Sequence, residues 1–121
     1  MSNTVYYRLT NAFNGTSKAL DTNNDRSGSV HMADTGNFSG QYWKLVPVAG
    51  SSSKFYLRNT YLGDDFSLDV INDGTNDQVH LAATGNFTGQ FWTLNRISVN
   101  GTTFKLTNDF TGPNKFLDAT R

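Results

Sequence analysis

Apolar and polar residues alternate over short stretches of this chain, and turn-forming residues break those stretches at short intervals. Val5, Tyr7 and Leu9 alternate with Tyr6 and Arg8, a period of two that predicts a strand with one buried face. The same pattern predicts strands at about 5–10, 18–22, 29–33 and 41–46, and again at about 54–59, 66–71, 78–82 and 90–95. Asn72-Asp73-Gly74 and the stretch 23–28 are turn formers that would join the second and third strand of each set as a hairpin. Gly36-Asn37 and Gly85-Asn86 predict tight connections into the fourth strand. No window carries a sustained helical period with caps. The chain reads as all-β.

The two sets of strands are copies of one unit. Residues 31–43 read HMADTGNFSGQYW and residues 80–92 read HLAATGNFTGQFW, identical at nine of thirteen positions and 49 residues apart. The likeness extends to Leu9, Leu57 and Leu106, then Asn11, Asn59 and Asn108, then Gly15, Gly63 and Gly112. Leu20-Asp21, Leu68-Asp69 and Leu117-Asp118 follow. The repeats are therefore about 5–48, 54–97 and 103–121, about 48 residues each with the third incomplete. Four strands per unit fit a β-trefoil or a β-propeller, and three units are too few for a propeller. A single β-trefoil domain over 1–121 is the expected fold. Its inward set would be Leu9, Leu57, Leu106, Leu20, Leu68 and Leu117, with Val30, Val79, Trp43, Trp92, Leu45 and Leu94. Each such side chain contributes roughly 1.5–3 kcal/mol on burial, enough in sum for a domain without covalent staples.

Composition narrows the function. Charged residues make up only 17 % and the formal net charge is zero, so nothing electrostatic draws the chain to nucleic acid or an anionic membrane. No apolar run approaches the ~20 residues of a membrane span. With no cysteine there is neither a disulfide framework nor a thiolate metal site. The opening MSNTVYYRLT has no signal-peptide core, so a cytoplasmic or non-classically secreted protein is expected. The only histidines, His31 and His80, occupy equivalent positions and have no cysteine or matching carboxylate pair nearby to share a metal. No metal and no cofactor are expected. Neither is catalysis, because the repeat offers no Ser-His-Asp set, no Cys nucleophile and no phosphate loop.

Gln41-Tyr42-Trp43 and Gln90-Phe91-Trp92, each preceded by a Leu-Asp pair, resemble the Gln-x-Trp repeats of the ricin B-chain-like lectins. The resemblance covers the first two repeats and the start of the third. It implies a non-catalytic carbohydrate-binding trefoil whose partners are glycans, galactose-type sugars being typical. It further implies a sugar site beside each hairpin, with Asp21 and Asp69 accepting hydrogen bonds from sugar hydroxyls and His31 and His80 as the polar residues of the third strand. Asn37 and Asn86 would supply the amide, with Gln41 and Gln90 behind them. The usual aromatic platform is replaced by Ala33 and Ala82, and Gly40 and Gly89 precede the Gln. Phe38 and Phe87, or the two imidazoles, would then have to offer the apolar face. Other roles are open to the same residues: Asp21 and Asp69 as turn caps, Gln41 and Gln90 as props for the hairpin backbone, Phe38 and Phe87 as staples of their loop.

By comparison with the second repeat, the third lacks its return strand and last barrel strand. A gapped barrel leaves unpaired N–H and C=O groups beside an apolar interior. A fragment of a longer chain, strands borrowed from a second copy and an edge shielded by loops all fit. Self-association through the open edge, as a dimer or larger homo-oligomer, is the expectation. Asp118 would lack the partners of a third site, so at most two sugar sites per chain are expected. The competing function is a trefoil protein-interaction or inhibitor module that grips a protein through its loops.

Overall fold

The computed structural model describes residues 6–11, 13, 15–23, 27–75, 78–97 and 103–118. Val5 and the end of the third repeat, 119–121, lie outside the described residues. Among the described residues eight strands follow one another: β1 (Lys18–Thr22), β2 (Val30–Asp34), β3 (Trp43–Pro47), β4 (Lys54–Asn59), β5 (Phe66–Val70), β6 (Val79–Ala83), β7 (Trp92–Arg96) and β8 (Phe104–Asn108). Antiparallel strands β3-β4-β7-β8 form one sheet in that order, while β1-β2 and β5-β6 are separate hairpins. This is the plan of a β-trefoil: outer strands of each repeat build the barrel wall, and the middle two form a hairpin against it.

Both hairpins have the same register. Leu20 faces Met32 and Asp21 faces His31 in β1-β2; Leu68 faces Leu81 and Asp69 faces His80 in β5-β6. The expected turn chemistry is present at Asp73, whose Oδ1 accepts from the backbone N and Oγ1 of Thr75 at 3.1 and 2.9 Å. The hairpins are tied together where the backbone N of Leu81 donates to the Gly28 carbonyl at 2.7 Å. Only glycine suits that junction, because φ at Gly28 is +90° and a Cβ would collide with the Leu81 carbonyl.

Two elements differ from the sequence reading. Stretch 5–10 is not a regular strand over its described part; Tyr7 alone bridges to Trp43, with N···O distances of 2.7 and 2.9 Å. Tyr7 is exposed, and of the alternating residues described in this stretch only Leu9 packs on the core. Physically, a strand needs a ladder, and Trp43 is this segment's only bridge partner among the described residues. The fourth strands also start later than expected. Ser39–Gln41 and Thr88–Gln90 are 3-10 turns, and β3 and β7 begin at the tryptophans.

Trp43, Leu57, Leu68 and Trp92 are fully or almost fully buried, with Leu20, Leu62, Val70 and Leu81 around them. Leu9, Val30, Leu45, Val79, Leu106 and Leu117 pack partly buried against that cluster. Leu94 is half-buried outside it, and Leu62, Val70 and Leu81 join it without having been expected. Each indole finds a partner for its one donor: Trp43 Nε1 donates to the Leu20 carbonyl at 2.9 Å, and Trp92 Nε1 to the Leu68 carbonyl at 3.0 Å. These bonds fix each hairpin on its own barrel strand, which positions the Asp residues one step further along.

Candidate functional site

Asp21 lies near the end of β1 and Asp69 at the equivalent point of β5. Each carboxylate is held from behind by the Gln of the following 3-10 turn. Gln41 Nε2 donates to Asp21 Oδ2 at 3.3 Å and to the Asp34 carbonyl at 2.7 Å, while Gln41 Oε1 accepts from the backbone N of Gly36 at 3.1 Å. Gln90 repeats the pattern with Asp69 at 3.1 Å, the Ala83 carbonyl at 2.8 Å and Gly85 at 3.1 Å. Both Gln side chains are completely buried. With their amide groups engaged in these bonds, they orient the carboxylates and pin the loop.

Gly40 and Gly89 let this happen. A Cβ on Gly40 would occupy the space of Asp21 Oδ1, and one on Gly89 the space of Asp69 Oδ1. The residue before each Gln must therefore be bare for the carboxylate to sit over it. Two residues earlier, the rings of Phe38 and Phe87 lie against Gly36 and Gly85, where a Cβ would likewise collide. The loop is stapled on one edge of each ring, yet both rings remain more than half exposed, at 56 % and 58 %.

Around Asp21 these features enclose an open cleft of about 340 Å³, lined by Asp21, Thr22, the loop 37–40 and Tyr61. Asn37 and Phe38 thus meet Asp21 as the sequence implied. His31 does not join them. It stands opposite Asp21 in the ladder, so both side chains leave the same hairpin face, but its Nδ1 pairs with Asn23 Oδ1. His80 stands opposite Asp69 in the same way and is half-buried. Asn37 and Asn86 are exposed on their loops. Among the described residues no three His, Cys, Asp or Glu side chains converge as a metal cage would require.

Tyr61, like Thr22 and Ser39, lines the cleft and was missed by sequence reasoning. It belongs to the second repeat and reaches the first site through Asn59. Asn59 Nδ2 donates to the Gly40 carbonyl, and Asn59 Oδ1 accepts from the backbone N of Tyr61 at 2.8 Å. Asn108 does the same one repeat on, donating to the Gly89 carbonyl at 2.7 Å and accepting from Phe110 N at 2.9 Å. Asn11 opens the series, accepting from Phe13 N at 2.7 Å. A signal was available: Asn11-x-Phe13, Asn59-x-Tyr61 and Asn108-x-Phe110 place an aromatic two residues after each repeated Asn. At the first cleft a ring from the next repeat, Tyr61, lines the wall.

The wall of the first cleft also carries an unanswered group. Thr22 is buried, and its Oγ1 has no hydrogen-bond partner among the described residues. Leaving a buried hydroxyl unpaired costs about 1–3 kcal/mol. The equivalent residue of β5 is Val70, which is buried to the same degree. A smaller hollow of about 230 Å³ lies beside the Lys44–Asp64 ion pair and contains none of the carboxylate, loop or histidine candidates.

No family model and no curated protein matches the sequence. Among solved structures, the designed 3-fold symmetric protein ThreeFoil is similar, with a TM-score of 0.73 and 26 % identity over 88 % of this chain and 74 % of that one. The likeness supports the trefoil fold and leaves the chemistry of the clefts to be argued from this chain's own residues.

Proposed function

We propose that this trefoil is a non-catalytic lectin that binds glycans in shallow, repeat-related clefts. One observation carries the reading: the same frame of carboxylate, buried amide and bare glycine occurs twice, each time beside an exposed aromatic ring. A carboxylate held by a buried amide keeps free lone pairs for two sugar hydroxyls, and a ring gives the apolar face of a pyranose somewhere to lie. The Gln-x-Trp repeats, with their resemblance to ricin B-chain-like lectins, support the same reading.

Two shallow sites bind weakly one at a time, and joining them raises avidity by roughly 10²–10⁴. Self-association serves that end. β8 has a ladder partner on one side only among the described residues, and a second copy pairing there would multiply the sites.

A glycan array tests the function. The expected result is signal that free sugar competes away and that Asp21→Ala with Asp69→Ala abolishes. Exposed Phe13, Phe38, Phe87, Phe110 and Phe116 favour a second reading, a module that grips a protein surface. An array without any competable signal would favour it.

A further inference from the structure

We infer that the two clefts are not equivalent: the first is built to hydrogen-bond one more sugar hydroxyl than the second, and so selects a fully hydroxylated hexoside, whereas the second accepts a deoxy sugar. This rests on the glycan-binding reading above. The frames that hold the two carboxylates match. Asp21 and Asp69, Gln41 and Gln90, Gly40 and Gly89, and Phe38 and Phe87 are identical pairs with matching hydrogen bonds or contacts. Three residues lining the first cleft differ at the equivalent positions of the second repeat: Ser39 becomes Thr88 and keeps its hydroxyl, and the other two differ in one chemical direction. Thr22 becomes Val70, and Tyr61 becomes Phe110; each change deletes a hydroxyl and keeps the shape.

Thr22 makes the difference directional. Its Oγ1 is buried at the back of the cleft, next to the position where Asp21 Oδ1 meets Gly40, and lacks a partner among the described residues. Val70 in the same environment shows that the fold does not need a hydroxyl there. A donor that folding does not use, held beside the ligand-facing carboxylate, is available to a water or a hydroxyl brought by the ligand. Tyr61 also lines the first cleft, and its counterpart Phe110 is exposed and carries no hydroxyl. A site that hydrogen-bonds a hydroxyl rejects the analogue lacking it strongly, whereas an apolar site discriminates weakly against the extra hydroxyl.

The test isolates each cleft in the full chain. Asp69→Ala leaves the first, and Asp21→Ala leaves the second. Calorimetric titration uses methyl galactoside, glucoside and mannoside, each with its series of monodeoxy derivatives. For the first cleft, deleting one particular hydroxyl is expected to weaken binding tenfold or more. The second cleft is expected to lose less than threefold for the same deletion. Thr22→Val with Tyr61→Phe should flatten the first profile, and Val70→Thr with Phe110→Tyr should sharpen the second. All four replacements are residues that the other repeat already carries, and an unchanged melting midpoint verifies folding. Identical deoxy profiles in the two clefts, or a first profile untouched by the double replacement, overturn the inference while leaving the lectin reading intact. If wild-type protein binds none of the three glycosides, the inference falls too. A glycan array without competable signal then removes the reading beneath it, and an array with such signal spares it.

Discussion

Gly40 shows how much a single missing Cβ decides. The carboxylate of Asp21 occupies the space that any larger residue would fill, with Gln41 holding it from behind. Gly40→Ala is expected to push the carboxylate aside and weaken sugar binding at the first cleft at least tenfold. Titration of the variant in an Asp69→Ala background reads this, and unchanged affinity would show that the carboxylate's position is immaterial. At this scale the sequence was partly legible. Asp21, Asn37 and Phe38 could be found because the repeat presents them twice, and they do line one cleft. His31 was expected in the site with Asp21, but opposition in a ladder does not say where a long side chain turns, and this one turns to Asn23. Tyr61 was hidden because its route to the cleft runs through a buried amide in another repeat.

Among the elements, the conserved geometry is the Asn-centred turn that ends β4 and β8. Asn59 and Asn108 are buried, and each joins the glycine floor of one site to an aromatic of the next repeat. Asn59→Ala strands the Gly40 carbonyl and the Tyr61 amide together, so a loss of about 2–3 kcal/mol is expected in denaturant unfolding. Asn108→Ala should cost a similar amount. The hairpins differ in their ion pairs. Lys18 in β1 faces Asp34 in β2 at 2.8 Å, and its hydrogen bond and charge hold the Asp34 carboxyl below its ordinary value of 3.8. In β5-β6 that place is taken by Phe66 and Ala83. A lowered carboxyl adds stability above its unfolded value and loses it as pH falls through the folded one. Acidification from pH 6 to below 3.8 should therefore loosen β1-β2 before β5-β6, modestly since the pair is exposed. Amide exchange of the two hairpins, compared at both pH values, is the check; equal protection losses would contradict it. These contacts were not legible, since strand registers follow from packing and turn geometry together.

For the whole molecule, the barrel wall runs β3-β4-β7-β8, and among the described residues β8 has no ladder partner on its outer side. The proposed pairing of two copies along that edge predicts a light-scattering mass of at least twice 13.4 kDa. A concentration-independent monomer would refute it. The repeat made the trefoil legible, because three spaced copies of a unit that cannot bury its own apolar face must share one interior. It misled at stretch 5–10, where alternation alone suggested a strand that the fold supports at a single bridge, and at the start of the fourth strands, where 3-10 turns stand instead.

By itself the sequence determined the all-β class, the repeat and the tryptophan and leucine centre of the core, because the period of apolar residues and the turn formers are local properties of the chain. Only the tertiary structure decided which side chains share a cleft. That depends on hydrogen bonds between repeats, such as Asn59 to the Gly40 carbonyl, whose partners are brought together by barrel closure and carry no mark in the local pattern.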